Sequence, residues 1–313
     1  MVFWNIIALL FLGILLAISA GWVVKATSYF SKILGIKSFV IGFLLLGLAT
    51  TIPEMFVAYQ AISDGIPQLS VGNLLGGSIL LLSFFMGASA IILKRIVLDH
   101  GMTKKDIIFA SCVVAAPAVA LWDGALSRIE GVILIAIYLI HVLFLEQEQH
   151  LVSRVEGHAK FVRHPGHAIV LLIGGLLGMA VSSRFLVTIA EGLAIQWGLS
   201  EFIVGLFLVT FGTNLPELTL IVEAIISKKK DVAFGDVLGS AVINTPLLGV
   251  VCLISPFAVD DPVRMRSTLI LLGVVSAFFL WAASSKRDIT RREGIILFMT
   301  YVAFVLFEVY RQL

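Results

Sequence analysis

The sequence predicts an all-α membrane protein: ten transmembrane helices arranged as two inverted five-helix repeats. Three observations lead there. Of 313 residues, 59% are hydrophobic and only 13% are charged, about half the charged share of a soluble domain. Apolar runs of about 18 or more residues recur from end to end, each long enough to cross roughly 30 Å of hydrocarbon as a helix. Finally, a stretch of the first half returns in the second at a constant offset.

Apolar runs between charged punctuation place spans at about 3–24, 38–63, 69–93, 106–122, 129–145, 167–190, 202–227, 232–256, 267–284 and 294–310. The first run, Phe3 to Val24, has neither a basic leader nor a small-residue cleavage pattern, so it reads as a retained helix. Residues 1–145 form the first repeat, 146–166 a linker and 167–313 the second repeat. The linker is polar and too short for a domain of its own. It carries His150, His158 and His164 without a cysteine, which reads as a solvated connection rather than a metal site. Cys112 and Cys252 fall inside spans and read as small buried hydrophobes, not a disulfide. A net charge of +2 leaves no basic stripe for nucleic acid. No soluble regulatory module, resident cofactor or obligatory protein partner is expected. The partners implied are the bilayer and inorganic cations.

The repeat is explicit. Residues 35–81 lie over 198–244 without a gap at an offset of 163. Gly35, Phe39 and Gly42 meet Gly198, Phe202 and Gly205; Thr50, Pro53 and Glu54 meet Thr213, Pro216 and Glu217; Gly72, Leu75 and Gly76 meet Gly235, Leu238 and Gly239. Apolar chance supplies leucines and alanines, but not Thr-x-x-Pro-Glu and Gly-x-x-Leu-Gly at identical separations. Five spans separate equivalent points, so the second copy lies upside down. Inverted repeats of this kind belong to secondary transporters, whose substrate site sits near the midplane where the copies meet.

The repeated motifs carry chemistry. Pro53 and Pro216 each remove a helical donor, so the carbonyls of Ala49 and Gly212, four residues earlier, lose their usual partners. In hydrocarbon such groups must face protein, water or an ion. A carboxylate follows each proline, Glu54 and Glu217, among the hydroxyls of Thr50, Thr51 and Thr213 and the amide of Asn214. An all-oxygen site of this type suits hard cations such as Ca²⁺ and Na⁺. A carboxylate at bilayer depth costs roughly 3 kcal/mol on insertion scales, which argues against a casual structural role. On the next helix of the second copy Asp236, Ser240 and Asn244 share one face at i, i+4 and i+8. The matching face of the first copy reads Asn73, Gly77 and Leu81.

These residues resemble the alpha-repeats of the cation/Ca²⁺ exchanger superfamily, above all its short prokaryotic Na⁺/Ca²⁺ exchangers. The family pattern is G-T-S-x-P-E on the second helix of each half. G-N-x-x-G-S follows on the next helix, with Asn or Asp four residues after that Ser. The resemblance implies a central core of the second, third, seventh and eighth helices, across which the long first and sixth helices slide to give alternating access. It implies Glu54 and Glu217 as central Ca²⁺ ligands, Thr50 and Thr213 as further oxygens, and Na⁺ on overlapping ligands. The departures are Asn214 for Ser, Ala49 for Gly, Gly77 for Ser, Leu81 for a polar residue, and Asp236 for Asn. They leave the Ca²⁺ site intact and put the coupling ion in question: fewer Na⁺ ions, or a proton carried partly by Asp236.

The function expected is therefore Ca²⁺ export from the cell, across the plasma membrane, in exchange for Na⁺. Exchange for H⁺, or transport of Mg²⁺ or Mn²⁺ on the same fold, is the alternative. An intramembrane hydrolase built on two facing carboxylates is a remote one, since it needs an open water site. Lys and Arg set the orientation. Seventeen lie in loops that share one side and five on the other, which places both termini outside. A cysteine introduced at position 104 or 229, in a chain lacking Cys112 and Cys252, is expected to resist an impermeant thiol reagent in intact cells. One at position 64 or 264 is expected to label.

Overall fold

A computed structural model describes residues 2–33, 39–97, 104–146, 165–215, 217–218, 221–222, 230–259, 262–285 and 288–311. Helix dominates, as it must in a bilayer, where backbone N–H and C=O groups have no water and a helix satisfies them within one segment. α1 runs Val2–Ile33, α2 Phe39–Ser63, α3 Pro67–Leu93, α4 Lys104–Ala120 and α5 Arg128–Glu146. α6 runs Pro165–Trp197, α7 Glu201–Thr213, α8 Lys230–Ile254, α9 Pro262–Ser285 and α10 Arg291–Tyr310. Among the described residues five helices are long and apolar enough to cross a membrane, those of α1, α3, α6, α8 and α9. α1 and α6 run well past the predicted spans. The linker histidines lie outside the described residues.

The offset of 163 reaches far beyond the stretch that revealed it. Shifted by that number, α1, α3 and α5 become 165–196, 230–256 and 291–309, close to the bounds of α6, α8 and α10. The caps follow too. Ser127 N–H donates to Glu130 Oε2 at 2.6 Å and Ile129 N–H to Ser127 Oγ at 3.2 Å, closing the start of α5. Thr290 N–H donates to Glu293 Oε2 at 2.7 Å and Glu293 N–H to Thr290 Oγ1 at 3.4 Å at the start of α10. Each is a capping box satisfying two end donors at once, and Ser127 and Glu130 sit 163 residues before Thr290 and Glu293.

Two compact units divide these elements, Met1–Asn73 with Leu145–Glu217 and Leu74–Phe144 with Leu218–Leu313. In the first, α2 turns into α3 through Gly65 at φ +78, and α6 into α7 through Gly198 at φ +64. Ile66 N–H reaches Ala61 O and Leu199 N–H reaches Ala194 O, both at 2.9 Å. Each is a Schellman ending that needs a left-handed residue, hence glycine. Val57, Ala61 and Leu69 pack with Leu186, Val187 and Val209 in a common apolar core. Gly72 of α3 lies on the carbonyl of Phe202, and Gly205 of α7 lies on the carbonyl of Leu69, so the two helices meet backbone to backbone. Gly175 and Gly178 of α6 seat Ser19 of α1 in the same manner.

In the second unit two short antiparallel ladders tie helix ends together. β1 (Arg95–Val97) pairs with β4 (Asp288–Thr290), and β2 (Ala125–Leu126) with β3 (Phe257–Ala258). Arg95 forms an ion pair with the buried carboxylate of Asp288 across the first ladder. Cys252 is buried as expected, but Cys112 is exposed. It shares an outward face of α4 with Ile108 and Val119 at i, i+4 and i+11, an apolar surface suited to lipid.

The Gly72 contact yields a test. A methyl group there meets a carbonyl oxygen rather than a flexible side chain, so relief requires the helices to part. Gly72→Ala is expected to cost about 1–3 kcal/mol, the usual penalty of overpacking, read as a lowered Tm of the detergent-solubilised protein.

Candidate cation site

α2 carries Thr51, Pro53 and Glu54 and continues through its proline. Thr51 and Glu54 are 2% and 3% exposed. Ala49 and Thr50 lie in the same helix, but their side chains are outside the described residues. α7 brings Gly212, Thr213 and Asn214, and Glu217 follows, 1% exposed. Near its start α7 widens into a π-helical stretch, Gly205–Val209. The single proton of Thr210 Oγ1 has two carbonyl acceptors, Gly205 O five residues back and Asn73 O on α3, each at 2.9 Å. A hydroxyl thus services the carbonyl that the wider turn displaces, as interruptions of buried membrane helices require. Asn214 ends the run at φ −89, ψ 11.

From these positions one hydrogen-bonded network grows. Thr213 Oγ1 donates to Asn73 Oδ1 at 3.1 Å. The two N–H groups of Asn214 Nδ2 have three acceptors in reach, Thr210 O at 3.0 Å, Thr213 Oγ1 at 3.2 Å and Glu54 Oε1 at 3.4 Å. Glu54 Oε2 is buried without a hydrogen-bond partner, and so is Asn73 Nδ2. Glu54 has no ion-pair partner among the described residues. Gly212 lies against α1, where a side chain on Gly13 would come within 3.4 Å of the Gly212 Cα.

The second unit holds the remaining candidates. Ser240 is buried and its Oγ has no hydrogen-bond partner. Asn244 Nδ2 donates to Ser78 Oγ at 3.3 Å. Ser78 in turn has Leu74 O at 3.2 Å and Ala241 O at 3.4 Å as acceptors. Asp236 belongs to α8, with its side chain outside the described residues. Among the described residues no three His, Cys, Asp or Glu side chains gather. The chemistry on offer is that of single carboxylates supplemented by neutral oxygens.

The sodium/calcium exchanger protein family matches residues 4–146 and 167–310, nearly all of the chain outside the predicted linker. The chain belongs to that family. Its members are transmembrane cation antiporters, and this exchanger is one of them. Inner membrane protein YrbG of Escherichia coli K12 is 28% identical, with 93% of this chain and 92% of that protein aligned. Sodium/calcium exchanger MaX1 of Methanosarcina acetivorans is 25% identical over 96% and 97% of the two chains. Among solved structures, the sodium-calcium exchanger NCX_Mj soaked with Na⁺ and Sr²⁺ superposes with a TM-score of 0.68. That chain is 26% identical, covering 96% of this exchanger and 98% of itself.

Three residues of these networks escaped the sequence reading as site residues. Asn73 stands in the Gly-x-x-Leu-Gly segment, and its neighbour in that motif was the available signal. Thr210 pairs by the offset with Gly47, and Ser78 with Ala241. Both are asymmetric positions that a search for matches passes over. Ser78 also amends the reading of Gly77: a hydroxyl is present on α3 one residue later, directed at α8.

Thr210→Val keeps shape and removes the hydroxyl, leaving Gly205 O and Asn73 O without that donor. A loss of about 1–3 kcal/mol in stability is expected, measured by thermal unfolding in detergent, with Thr210→Ser retaining wild-type behaviour.

Proposed function

We propose that this exchanger exports Ca²⁺ in exchange for Na⁺ by alternating access, with Glu54 and Glu217 as the central cation ligands. The observation that carries this reading is Glu54: a carboxylate 3% exposed inside an apolar helix, with no ion-pair partner among the described residues and one oxygen lacking any hydrogen bond. Removing a carboxylate from water costs several kcal/mol unless charge or donors compensate. A hard cation supplies the charge, and Thr50, Thr51, Thr213 and the carbonyls of Ala49 and Gly212 supply neutral oxygens of the kind it takes. Ser240 and Asn244 add oxygens for Na⁺, and Asp236 a carboxylate able to carry a proton. The ions are substrates, and no resident cofactor enters.

The architecture proposed with it is ten spans in two inverted repeats, 1–145 and 167–313, joined by a cytoplasmic linker, with both termini outside the plasma membrane. Support comes from the common offset of helix bounds and capping boxes, and from family matches that break at the linker. α1 and α6 are the moving elements. At 32 and 33 residues they span about 48 and 50 Å at 1.5 Å per residue, so they cross the membrane strongly tilted. Only 28% of each apolar window is buried, against 78% for α3 and α8, which leaves few contacts to break on sliding. The seating of Ser19 against Gly175 and Gly178 makes α1 and α6 travel as a pair, and the Gly13–Gly212 contact offers a smooth surface past α7.

The test is ⁴⁵Ca²⁺ uptake into proteoliposomes under an imposed Na⁺ or H⁺ gradient. An outward Na⁺ gradient is expected to drive uptake. Uptake driven by H⁺ alone assigns a proton-coupled exchanger, and preference for Mg²⁺ or Mn²⁺ reassigns the substrate. Glu54→Gln and Glu217→Gln are each expected to lower flux at least about a hundredfold with Tm unchanged or raised, since loss of one charge-assisted ligand is worth about 3 kcal/mol or more. Near wild-type flux in either folded variant overturns the site.

A further inference from the structure

Asn214 stands where the family pattern has a serine, and its surroundings give the substitution a meaning. The side chain is 1% exposed. Its Nδ2 has three oxygens around it: Thr210 O at 3.0 Å, Thr213 Oγ1 at 3.2 Å and Glu54 Oε1 at 3.4 Å. A carbonyl and a carboxylate are acceptors only, so the nitrogen of the amide, not its oxygen, must face them. Thr213 has acceptors for its one proton in Asn73 Oδ1 at 3.1 Å and Thr210 O at 3.3 Å, which leaves a lone pair for Asn214. One carbonyl, one hydroxyl and one carboxylate oxygen converge on a single point, which is the donor set a desolvated hard cation takes. The point is filled by the positive end of an amide dipole.

We propose that the Asn214 amide occupies a monovalent-cation subsite as a tethered stand-in, so that this exchanger couples transport to one fewer Na⁺ than the same chain with serine at position 214. The inference rests on the reading of Glu54 as an ion ligand. A hard cation sits about 2.4 Å from its oxygens, a position that overlaps the N–H groups of Asn214. Admitting it requires the amide to swing out, which strips two buried donors of their partners. Serine is two heavy atoms shorter, clears the point, and brings an oxygen able to accept as well as donate. The three oxygens include half of one carboxylate and two neutral groups, a charge suited to Na⁺ rather than to a second divalent ion. Glu54 Oε2, which has no hydrogen-bond partner, remains available to the transported Ca²⁺.

The test compares ⁴⁵Ca²⁺ flux against Na⁺ concentration, at fixed pH and clamped membrane potential, for proteoliposomes holding wild type, Asn214→Ser, Asn214→Ala and Glu54→Gln. The Hill coefficient for Na⁺ is expected to rise by about one in Asn214→Ser. Asn214→Ala, which clears the point without adding an oxygen, is expected to show the same rise at higher half-saturating Na⁺. If wild type shows no Na⁺ dependence and Asn214→Ser acquires it, the proposal is equally supported. An unchanged Hill coefficient in both substitutions overturns it. Glu54→Gln separates the two failures: if it abolishes flux while position 214 has no effect, the subsite alone falls. If it leaves flux intact, the ion site itself was misassigned. Should Asn214→Ser not fold, Asn214→Gly and Asn214→Ala carry the same comparison.

Discussion

The constraint on which this structure turns is the cost of keeping the Glu54 carboxylate buried in an apolar helix with no ion-pair partner among the described residues. Insertion of a charged group at bilayer depth costs roughly 3 kcal/mol even with relaxation of its surroundings. The fold offsets part of that with neutral dipoles: Asn214 reaches one carboxylate oxygen at 3.4 Å, and the second has no hydrogen bond. Incomplete compensation is what a transporter requires. A lysine in place of the dipoles would satisfy the carboxylate permanently and leave nothing for a mobile ion to gain. On the proposed reading, a bound cation relieves that cost and a departing cation restores it.

Those dipoles are placed by backbone contacts rather than by side-chain packing. Gly72 on the Phe202 carbonyl and Gly205 on the Leu69 carbonyl bring α3 and α7 as close as helices come. Only at that spacing does Thr210 reach Asn73 O and Thr213 reach Asn73 Oδ1. The π-helical stretch of α7 belongs to the same device. It begins at Gly205, at the point of contact, and the carbonyl it displaces is taken up by Thr210. A π-bulge at a functional position is a common association, and here the close packing and the hydroxyl give it a physical cause.

What was legible in the sequence follows from this division. Helix bounds, capping boxes, turn glycines and the proline–glutamate pairs are local, and each leaves a residue type at a fixed spacing. The match of Ser127 and Glu130 to Thr290 and Glu293, outside the stretch first aligned, is of that kind. The network was half legible. Glu54, Thr213 and Asn214 were named because they repeat or replace a repeated residue. Thr210 and Ser78 were not, because their counterparts are Gly47 and Ala241 and repetition is blind to them. The direction of the Asn214 amide was beyond reach as well, since it is set by acceptors on two helices far apart in sequence. Cys112 is exposed where the sequence reads as buried, because an apolar residue in a span faces lipid as readily as protein and composition does not distinguish the two.

The two halves have diverged at the neutral positions around the repeated motifs. Relative to its partner, the first has an apolar Leu81 where the second has Asn244, and a hydroxyl at Ser78 where the second has Ala241. The second has Thr210 where the first has Gly47. In each unit an asparagine amide now turns its nitrogen toward a neighbouring oxygen, Asn214 toward Glu54 and Asn244 toward Ser78. An N–H so placed ties up a lone pair that a cation would otherwise use. At position 214 a carboxamide in place of the family's serine therefore keeps its buried polar neighbours hydrogen-bonded while, on the proposed reading, reducing the oxygens free to bind an ion. A duplicated fold reaches its first symmetric site through matching prolines and glutamates. On the proposed reading, its ion stoichiometry is set by how unequal the neutral residues around them become.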